Sequence, residues 1–317
     1  MGKPKRRINP KVRTRVDRKL VRYATKKVRD VVYSLPKAWE GSDMGRPAHD
    51  ARLVVVMLVL MRLFRGTYDS ADDLADDPRI KRILGISRLP GHSVLHRGAK
   101  RLPQEYVQLL NEELTRKFRM KRLVVIVDSS GFRLRTSSAW YDIRIGRQNL
   151  RRDNEKLHIA CDPLSGLILS YSITQWKAHD SPKFRSLLRN IRKILFALGD
   201  AGYLSRLNCR ITVKKGGKPF FCLKKNTTAK ADGCLAWKRM VEFFERDKEL
   251  YEAIYHMRSF VEAVFSSLKR RFGACLHSVK KRMQKKELAL KVIAYNIRRA
   301  LFSELAEQLG EPLWVDA

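Results

Sequence analysis

The sequence has 317 residues, of which 44% are hydrophobic, and its 67 lysine and arginine residues against 32 aspartate and glutamate residues give a formal net charge of +35. The hydrophobic content favours an ordered protein over a disordered one, and a charge of this size repels itself unless a polyanion offsets it. The longest apolar run, Leu53–Met61, is too short to cross a bilayer, which needs about 20 residues. The sequence therefore predicts a folded protein that does not span a membrane and that binds nucleic acid, with an anionic membrane surface as the less favoured partner.

The first third of the chain has the pattern of a small helical bundle. Residues 1–30 contain 13 lysine or arginine residues and two acids, which predicts either a disordered basic arm or a basic helix that binds phosphates. Asp50 can cap a helix that contains the longest apolar run. Further helical patterns follow. We therefore divide this part of the chain into a basic N-terminal arm, residues 1–44, and an all-α domain, residues 45–119.

Strand patterns begin after residue 119. Leu123–Val127 is apolar and β-branched, which is typical of a strand that is buried on both faces. Leu157–Cys161 and Leu167–Ile173 predict a hairpin, and Lys193–Gly199 predicts another buried strand. The remaining predictions are helices at residues 180–192 (capped by Asp180), 236–272 and 285–309 and short strands at Arg210–Val213 and Phe220–Leu223. Strands interspersed with helices predict an α/β domain with a mixed sheet.

The five cysteine and seven histidine residues form no metal or disulfide pattern. No two cysteines have CxxC spacing, their odd number argues against a complete set of disulfides, and the histidines have neither HExxH nor zinc-finger spacing. The sequence therefore predicts a cytoplasmic protein with reduced cysteines and no structural zinc site.

Two buried strands are each followed directly by an aspartate, Asp128 and Asp200. Carboxylates at the ends of such strands can face one crevice, where a divalent cation offsets their repulsion. An aspartate after a strand is also a common turn residue. A functional interpretation therefore needs a third group.

The helix around Glu262 supplies a candidate for that group. Tyr255, Arg258, Glu262 and Lys269 fall within about 60° of one another on a helix with about 100° per residue. The apolar residues between them fall on the opposite face, which predicts a helix that is anchored by its buried side. The polar stripe has two interpretations that geometry leaves open: a functional face, or a solvated surface with an Arg258–Glu262 ion pair.

The spacing Tyr255-x2-Arg258-x3-Glu262-x6-Lys269 resembles the Tyr-Arg-Glu-Lys signature of bacterial and archaeal insertion-sequence DDE transposases. The resemblance extends over residues 45–303 and includes the acidic motifs of that family, both in the expected order. The matching segments are Gly45-Arg46-Pro47 at the start of the helical domain, Val127-Asp128-Ser-Ser-Gly131 and Gly199-Asp200-Ala-Gly-Tyr203 at the acidic motifs, and Lys156-Leu-His158-Ile, Thr174 and His179-Asp180-Ser181 between them.

The resemblance implies a fold and a reaction. The fold would be an RNase H-like catalytic domain over residues 120–309, with a mixed five-stranded sheet flanked by helices, preceded by the all-α domain. Asp128, Asp200 and Glu262 would form a catalytic triad that holds two Mg²⁺ or Mn²⁺ ions and cleaves and joins DNA by two-metal catalysis. The residues expected to contact DNA are Tyr255, Arg258, Lys269, Arg270 and Arg271.

The partners that the resemblance implies are double-stranded DNA, as transposon ends and as target, and further copies of the chain, as a homodimer or larger assembly on DNA. The location would be the cytoplasm, in association with the nucleoid. Two alternatives remain: a domesticated relative that cuts without joining, and a basic DNA-binding protein without catalytic activity, which the net charge alone would allow.

Overall fold

The computed structural model describes residues 6–41, 49–119, 123–134, 144, 146 and 154–316. The Gly45-Arg46-Pro47 motif lies outside these residues. The chain divides into two compact units. One contains the described residues up to Leu114 together with those from Ala289 onward, and the other contains Thr115–Leu288.

The first unit contains the predicted helices. They are α1 (Pro10–Arg18), α2 (Leu20–Tyr33), α3 (Ala51–Leu63), α4 (Ala71–Asp76), α5 (Pro78–Leu84), α6 (His92–Arg101) and α7 (Gln104–Arg119), of which the last continues into the second unit. Asp50 caps α3 as predicted, because its Oδ1 accepts a hydrogen bond of 2.7 Å from the backbone N–H of Arg52. Nearly every side chain of α3 is buried, which its continuous apolar run requires.

The basic N-terminal segment is helical, which is one of its two predicted alternatives. Helix α2 buries Ala24, Val28 and Val32 and packs against α3 and α5. Lys27 forms a 2.6 Å ion pair with Glu304. The segment is therefore integrated into the first unit through one apolar face, while most of its basic side chains stay exposed.

The second unit is built on a mixed sheet. Its strands are β2 (Leu123–Leu134), β3 (Asn154–Cys161), β4 (Ile168–Gln175), β5 (Ile194–Gly199), β6 (Lys218–Phe221) and the two-residue β7 (Cys275–Leu276), and a separate pair joins β1 (Arg6–Ile8) to β8 (Trp314–Asp316) in the first unit. The order is β4-β3-β2-β5-β6, with β7 beside the end of β2. Strands β2, β3 and β4 are antiparallel neighbours, whereas β5 and β6 continue the sheet in parallel. The RNase H-like mixed sheet is thus confirmed, with one short strand more than the five predicted.

The helices of this unit are α8 (Lys183–Leu188), α9 (Arg206–Lys214), α10 (Leu235–Arg246), α11 (Lys248–Tyr255) and α12 (Phe260–Phe272), and a long helix α13 (Lys281–Leu309) extends from this unit into the first. The helix predicted over residues 180–192 is therefore only six residues long. No helix among the described residues is long and apolar enough to cross a membrane.

The strand predicted at Arg210–Val213 is wrong, because these residues lie in α9. Their β-branched side chains favour a strand locally. Ser205 begins a helix instead, since its Oγ accepts a hydrogen bond of 3.1 Å from the backbone N–H of Asn208. Cys209 and Thr212 are buried on the inner face of that helix, so packing overrides the local preference.

The single helix predicted over residues 236–272 is also wrong. It is interrupted at Asp247, whose Oδ1 accepts a 3.0 Å hydrogen bond from the backbone N–H of Leu250 and so caps a new helix, α11. A short 3₁₀ segment at His256–Ser259 then separates α11 from α12. The polar stripe is consequently spread over three short elements and not over one straight helix.

Candidate active site

The sheet places Asp128 and Asp200 at equivalent positions of two neighbouring parallel strands. Strands β2 and β5 are parallel and pair Val127 with Gly199, the residues that precede the two aspartates. A Cβ atom at Gly199 would lie 3.0 Å from the Val127 side chain and 3.1 Å from that of Tyr203. Glycine therefore allows the close approach of the backbone that this arrangement requires.

The prediction that β2 ends at Asp128 is wrong, because the strand continues to Leu134. Residues Ser129–Arg133 pair with β3, so the Ser-Ser-Gly sequence, which is typical of a turn, is held extended by a partner that is distant in the chain. Strand β5 ends at Gly199. Asp128 thus lies inside a strand, at the position where its parallel neighbour stops.

The carboxylate of Asp128 is largely buried and carries an unfavourable charge. Its side chain is 16% exposed, and its Oδ1 accepts a 2.8 Å hydrogen bond from the backbone N–H of Ser129. Burial raises its pKa to about 6, with further increases from Asp200 and Asp180, against the lowering effects of Ser129 and Arg258. The ionised form is therefore destabilised unless a further positive charge approaches.

Arg258 connects the stripe of basic and acidic residues to the sheet. Its guanidinium Nη1 lies 3.3 Å from Asp128 Oδ2, and its Nη2 lies 3.6 Å from Glu262 Oε1. Although burial acts in the opposite sense, Tyr255 and the negative charges of Asp128, Asp200 and Glu262 raise the pKa of Arg258. The Arg258–Glu262 ion pair that the sequence allowed is thus present, and Arg258 connects it to Asp128, although the Glu262 side chain itself is 68% exposed.

The other members of the predicted stripe lie around this cluster. The Arg258 Cζ is 5.9 Å from the centre of the Tyr255 ring, and burial raises the pKa of Tyr255 to about 12. Lys269 donates a 2.8 Å hydrogen bond to Ser130 Oγ, two residues after Asp128. Arg270 is exposed and Arg271 is half-buried, and their contact with DNA stays a prediction.

A fourth carboxylate, Asp180, lies beside the predicted triad. Its Oδ1 accepts a 3.0 Å hydrogen bond from Ser129 Oγ and lies 2.6 Å from Lys156 Nζ. The Nδ1 of fully buried His158 lies 3.3 Å from the same oxygen. Although burial acts in the opposite sense, contacts with His158, Lys156 and Ser129 lower the pKa of Asp180 to about 2.

The sequence interpretation left only a minor role at the site open for Asp180, beside His179. It expected a helix cap, but the helix begins at Lys183 with Pro182 as its cap. The available signal was the spacing Lys156-x-His158, which places both side chains on one face of β3, together with a carboxylate at residue 180. The resemblance had marked these segments without assigning them contacts.

The chemistry of the cluster fits a hard divalent cation. Asp128, Asp200 and Glu262 offer only oxygen ligands, which suit Mg²⁺ or Mn²⁺. The raised pKa of Asp128 shows that its charge is incompletely compensated by the protein. Within the part of the chain that the structure describes, however, no three acidic, histidine or cysteine side chains are close enough to enclose a metal ion, and Arg258 contacts two of the three carboxylates.

Comparison with known proteins identifies the family. Residues 119–297 match the model of the transposase DDE domain. A solved structure, the cryo-EM synaptic complex of piggyBac transposase with hairpin DNA, is similar to this chain at 11% identity and a TM-score of 0.39, over 94% of this chain and 74% of that chain. Because the matched segment of the family model covers more than half of the sequence, the protein belongs to the transposase DDE domain family.

Proposed function

We propose that this transposase cleaves phosphodiester bonds at the ends of an insertion sequence and joins the resulting 3′-hydroxyl ends to target DNA. The observation that carries the proposal is the placement of Asp128 and Asp200 after paired strand residues, with Glu262 connected to them through Arg258. Asp128 and Asp200 follow paired residues of neighbouring parallel strands, and Arg258 connects Asp128 to Glu262. Binding DNA does not by itself require three carboxylates near a phosphate, whereas phosphoryl transfer uses them to hold cations.

Asp128, Asp200 and Glu262 would hold two Mg²⁺ or Mn²⁺ ions, with Asp128 shared between the two. When bound, such ions stabilise the negative charge of the attacking and leaving oxygens. The Asp128 side chain is only 16% exposed, which strengthens its own electrostatic interactions. Metal binding would also compensate the carboxylate charge that the protein leaves unfavourable.

The reaction consists of two displacements at phosphorus. In the first, a water oxygen bonds to phosphorus, and the P–O3′ bond breaks to leave a free 3′-hydroxyl. In the second, the oxygen of that hydroxyl bonds to a target phosphorus, and the P–O3′ bond of the target strand breaks to leave a 3′-hydroxyl on the target. Arg258 would donate both arms of its guanidinium to a phosphate, and Lys269 would act as a point charge beside the strand. Tyr255, Arg270 and Arg271 would contact neighbouring parts of the DNA.

The remaining assignments concern the DNA and the assembly. Residues 45–119 would bind the transposon ends, and the basic residues 1–44 would add phosphate contacts without sequence preference. Cutting both ends requires two active sites near each other, so we expect a homodimer or a larger assembly on double-stranded DNA. The protein would act in the cytoplasm, in association with the nucleoid.

The test is cleavage and joining of a labelled duplex that contains the DNA flanking the coding sequence, with and without Mg²⁺ or Mn²⁺. The wild type is compared with Asp128→Asn, Asp200→Asn and Glu262→Gln, and with Asp232→Asn as a matched control that lies in a surface ion pair with Arg206. We expect metal-dependent 3′-hydroxyl ends and joined products from the wild type and the control. Each of the three site variants should lose at least about 1,000-fold in rate while retaining DNA binding.

Two results would contradict the proposal in different ways. Cutting without joined products would indicate a nuclease related to transposases. If the wild type binds DNA but shows no metal-dependent cutting, the protein is a DNA-binding protein and the catalytic assignment fails.

A further inference from the structure

Strand β2 is held from both of its faces at the candidate active site. Side chains alternate between the faces of a strand. Asp128 and Ser130 contact Arg258 and Lys269, which belong to the segment that includes α12. Ser129 lies between them on the opposite face, where its hydroxyl donates to Asp180. The segment with Asp128 is therefore fixed by two separate sets of contacts.

Ser129 links Asp180 to Asp128 through two of its own groups. Its backbone N–H donates to Asp128 Oδ1 at 2.8 Å, and its Oγ donates to Asp180 Oδ1 at 3.0 Å. A rotation of the Ser129 backbone would change both contacts at once. The orientation of the Asp128 carboxylate is consequently coupled to the position of Asp180.

Asp180 is itself fixed by β3, the antiparallel neighbour of β2. The register places His158 directly opposite Ser129, and Lys156 two residues earlier on the same face. Lys156 Nζ lies 2.6 Å from Asp180 Oδ1 and also donates a 3.3 Å hydrogen bond to the carbonyl of Ala178. The Lys156 and Asp180 side chains are only 14% and 20% exposed, so solvent screens their attraction weakly.

We propose that Asp180 is a positioning residue for the phosphoryl-transfer reaction. It fixes Ser129, and thereby holds the Asp128 carboxylate in the orientation that binds the cation, while Lys156 and His158 hold Asp180 in place. This inference rests on the proposed function, because it assigns a task to Asp180 within that reaction. The competing explanation is that Asp180 only compensates the charge of buried Lys156 and contributes stability.

Ser129→Ala separates these explanations, because it removes the hydroxyl that bonds to Asp180, keeps the backbone N–H that bonds to Asp128, and leaves no buried charge unpaired. The positioning role predicts that Ser129→Ala slows cleavage at saturating DNA by about 10-fold and that Asp180→Ala slows it by about 10- to 100-fold, the range that a displacement of about 1 Å can cause. The double variant should be no slower than Asp180→Ala, because both changes break one linkage. DNA affinity should stay within about twofold of the wild type.

A second readout does not depend on DNA cleavage. Titration calorimetry of the DNA-free protein with Mn²⁺ should show affinity reduced by about 5- to 10-fold in both single variants. Ser186→Ala and Asp232→Ala serve as controls, since Ser186 donates only to the carbonyl of Lys183 and Asp232 pairs with Arg206 on the surface. Thermal unfolding identifies any variant that loses activity because it is unfolded.

The outcomes distinguish the inference from the function on which it rests. If the wild type cuts DNA but Ser129→Ala cuts and binds Mn²⁺ as the wild type does, the positioning role is refuted and the proposed function stands. The same holds if the rate losses of the two single variants multiply in the double variant. If the wild type neither cuts DNA nor binds Mn²⁺, the proposed function fails, and the positioning role fails with it.

Discussion

Asp128 and Asp180 lie on either side of Ser129 and face basic side chains, yet their pKa values change in opposite directions. Asp180 has Lys156 at 2.6 Å, the Ser129 hydroxyl at 3.0 Å and His158 at 3.3 Å, and its pKa is lowered to about 2. Asp128 has Arg258 at 3.3 Å, and burial raises its pKa to about 6. The protein compensates the charge of Asp180 but compensates that of Asp128 only in part.

The difference indicates which part of the proposed site would bind the cation. A buried carboxylate with several close donors is little stabilised by an additional cation. A cation does stabilise the ionised form of a carboxylate that is desolvated and near other carboxylates. Arg258 compensates Asp128 only in part, because its guanidinium is shared with Glu262 at 3.6 Å. We therefore interpret the Asp180 side as a fixed support and the Asp128 side as the part that changes partners.

The largest expected effect on this comparison is that Asp128→Asn stabilises the metal-free protein. Because the pKa of Asp128 is raised to about 6 in the folded state, this group lowers the free energy of unfolding as the pH rises from about 4 to about 6. Asparagine avoids the cost, so the variant should be more stable by up to about 3 kcal/mol at pH 8, with no difference below about pH 4. Urea unfolding at pH 4 and pH 8 without divalent cations measures this, with Asp232→Asn as control.

Addition of Mn²⁺ should reverse this order at pH 8. The cation binds the folded wild type and stabilises it by mass action, whereas the variant lacks the ligand. An Asp128→Asn protein that is less stable than the wild type at pH 8 without metal would contradict the assignment of Asp128 as an uncompensated charge.

The opposite effect is expected for Asp180→Asn. Since the pKa of Asp180 is lowered to about 2, its contribution to stability is present above about pH 4 and is lost as the pH falls towards 2. At pH 7 the variant should lose about 2 kcal/mol. Combination with Lys156→Met checks the cause, because the double variant should lose less than the sum of the two single losses. Strictly additive losses would show that the Lys156–Asp180 contact contributes nothing.

The sequence was sufficient for the parts of the site that rest on local patterns. Asp128 and Asp200 follow apolar runs, and the structure places those runs side by side as parallel strands. The spacing of Arg258 and Glu262 predicted their contact, which is a property of helical geometry alone. The approach of Arg258 to Asp128, 130 residues away, had no local signal, and the family resemblance grouped Asp128 with Glu262 without predicting this contact.

The parts that the sequence could not provide depend on partners that are distant in the chain. Asp180 precedes a serine and a proline, a pattern typical of a helix start, and only the register of β3 shows that Lys156 and Ser129 lie beside it. Strand β2 continues beyond Asp128 because β3 pairs with it. The β-branched residues at 210–213 lie in a helix because packing buries its inner face, which includes Cys209 and Thr212. In each case a tertiary contact overrides a correct local preference.

A smaller effect is expected for Arg258→Ala, and its two readouts change in opposite directions. Cleavage should slow by about 10-fold, because the phosphate loses a two-armed donor. Mn²⁺ should bind the DNA-free variant about 3- to 10-fold more tightly, since the competing positive charge among the carboxylates is removed. Calorimetry and single-turnover cleavage measure the two, with Arg206→Ala as a control for loss of a surface Arg–Asp pair. Weaker Mn²⁺ binding would show that Arg258 organises the carboxylates and does not compete with the cation.

The smallest expected effect concerns Lys269, which faces the strand from the same side as Arg258. Its Nζ donates to Ser130 Oγ at 2.8 Å, and burial lowers its pKa below the usual value, yet the group stays charged near neutral pH if DNA is close. Replacement by methionine should weaken DNA binding by about 1 kcal/mol and reduce the slope of log K against log salt concentration by about 1, as expected for one lost phosphate contact. Ser130→Ala is the matched control, because it removes the same hydrogen bond but no charge, and its salt slope should equal that of the wild type. If the salt dependence of DNA binding is unchanged in Lys269→Met, the ammonium group contacts no phosphate and only fixes strand β2. Lys269 would then be a structural support for the strand, as Asp180 is.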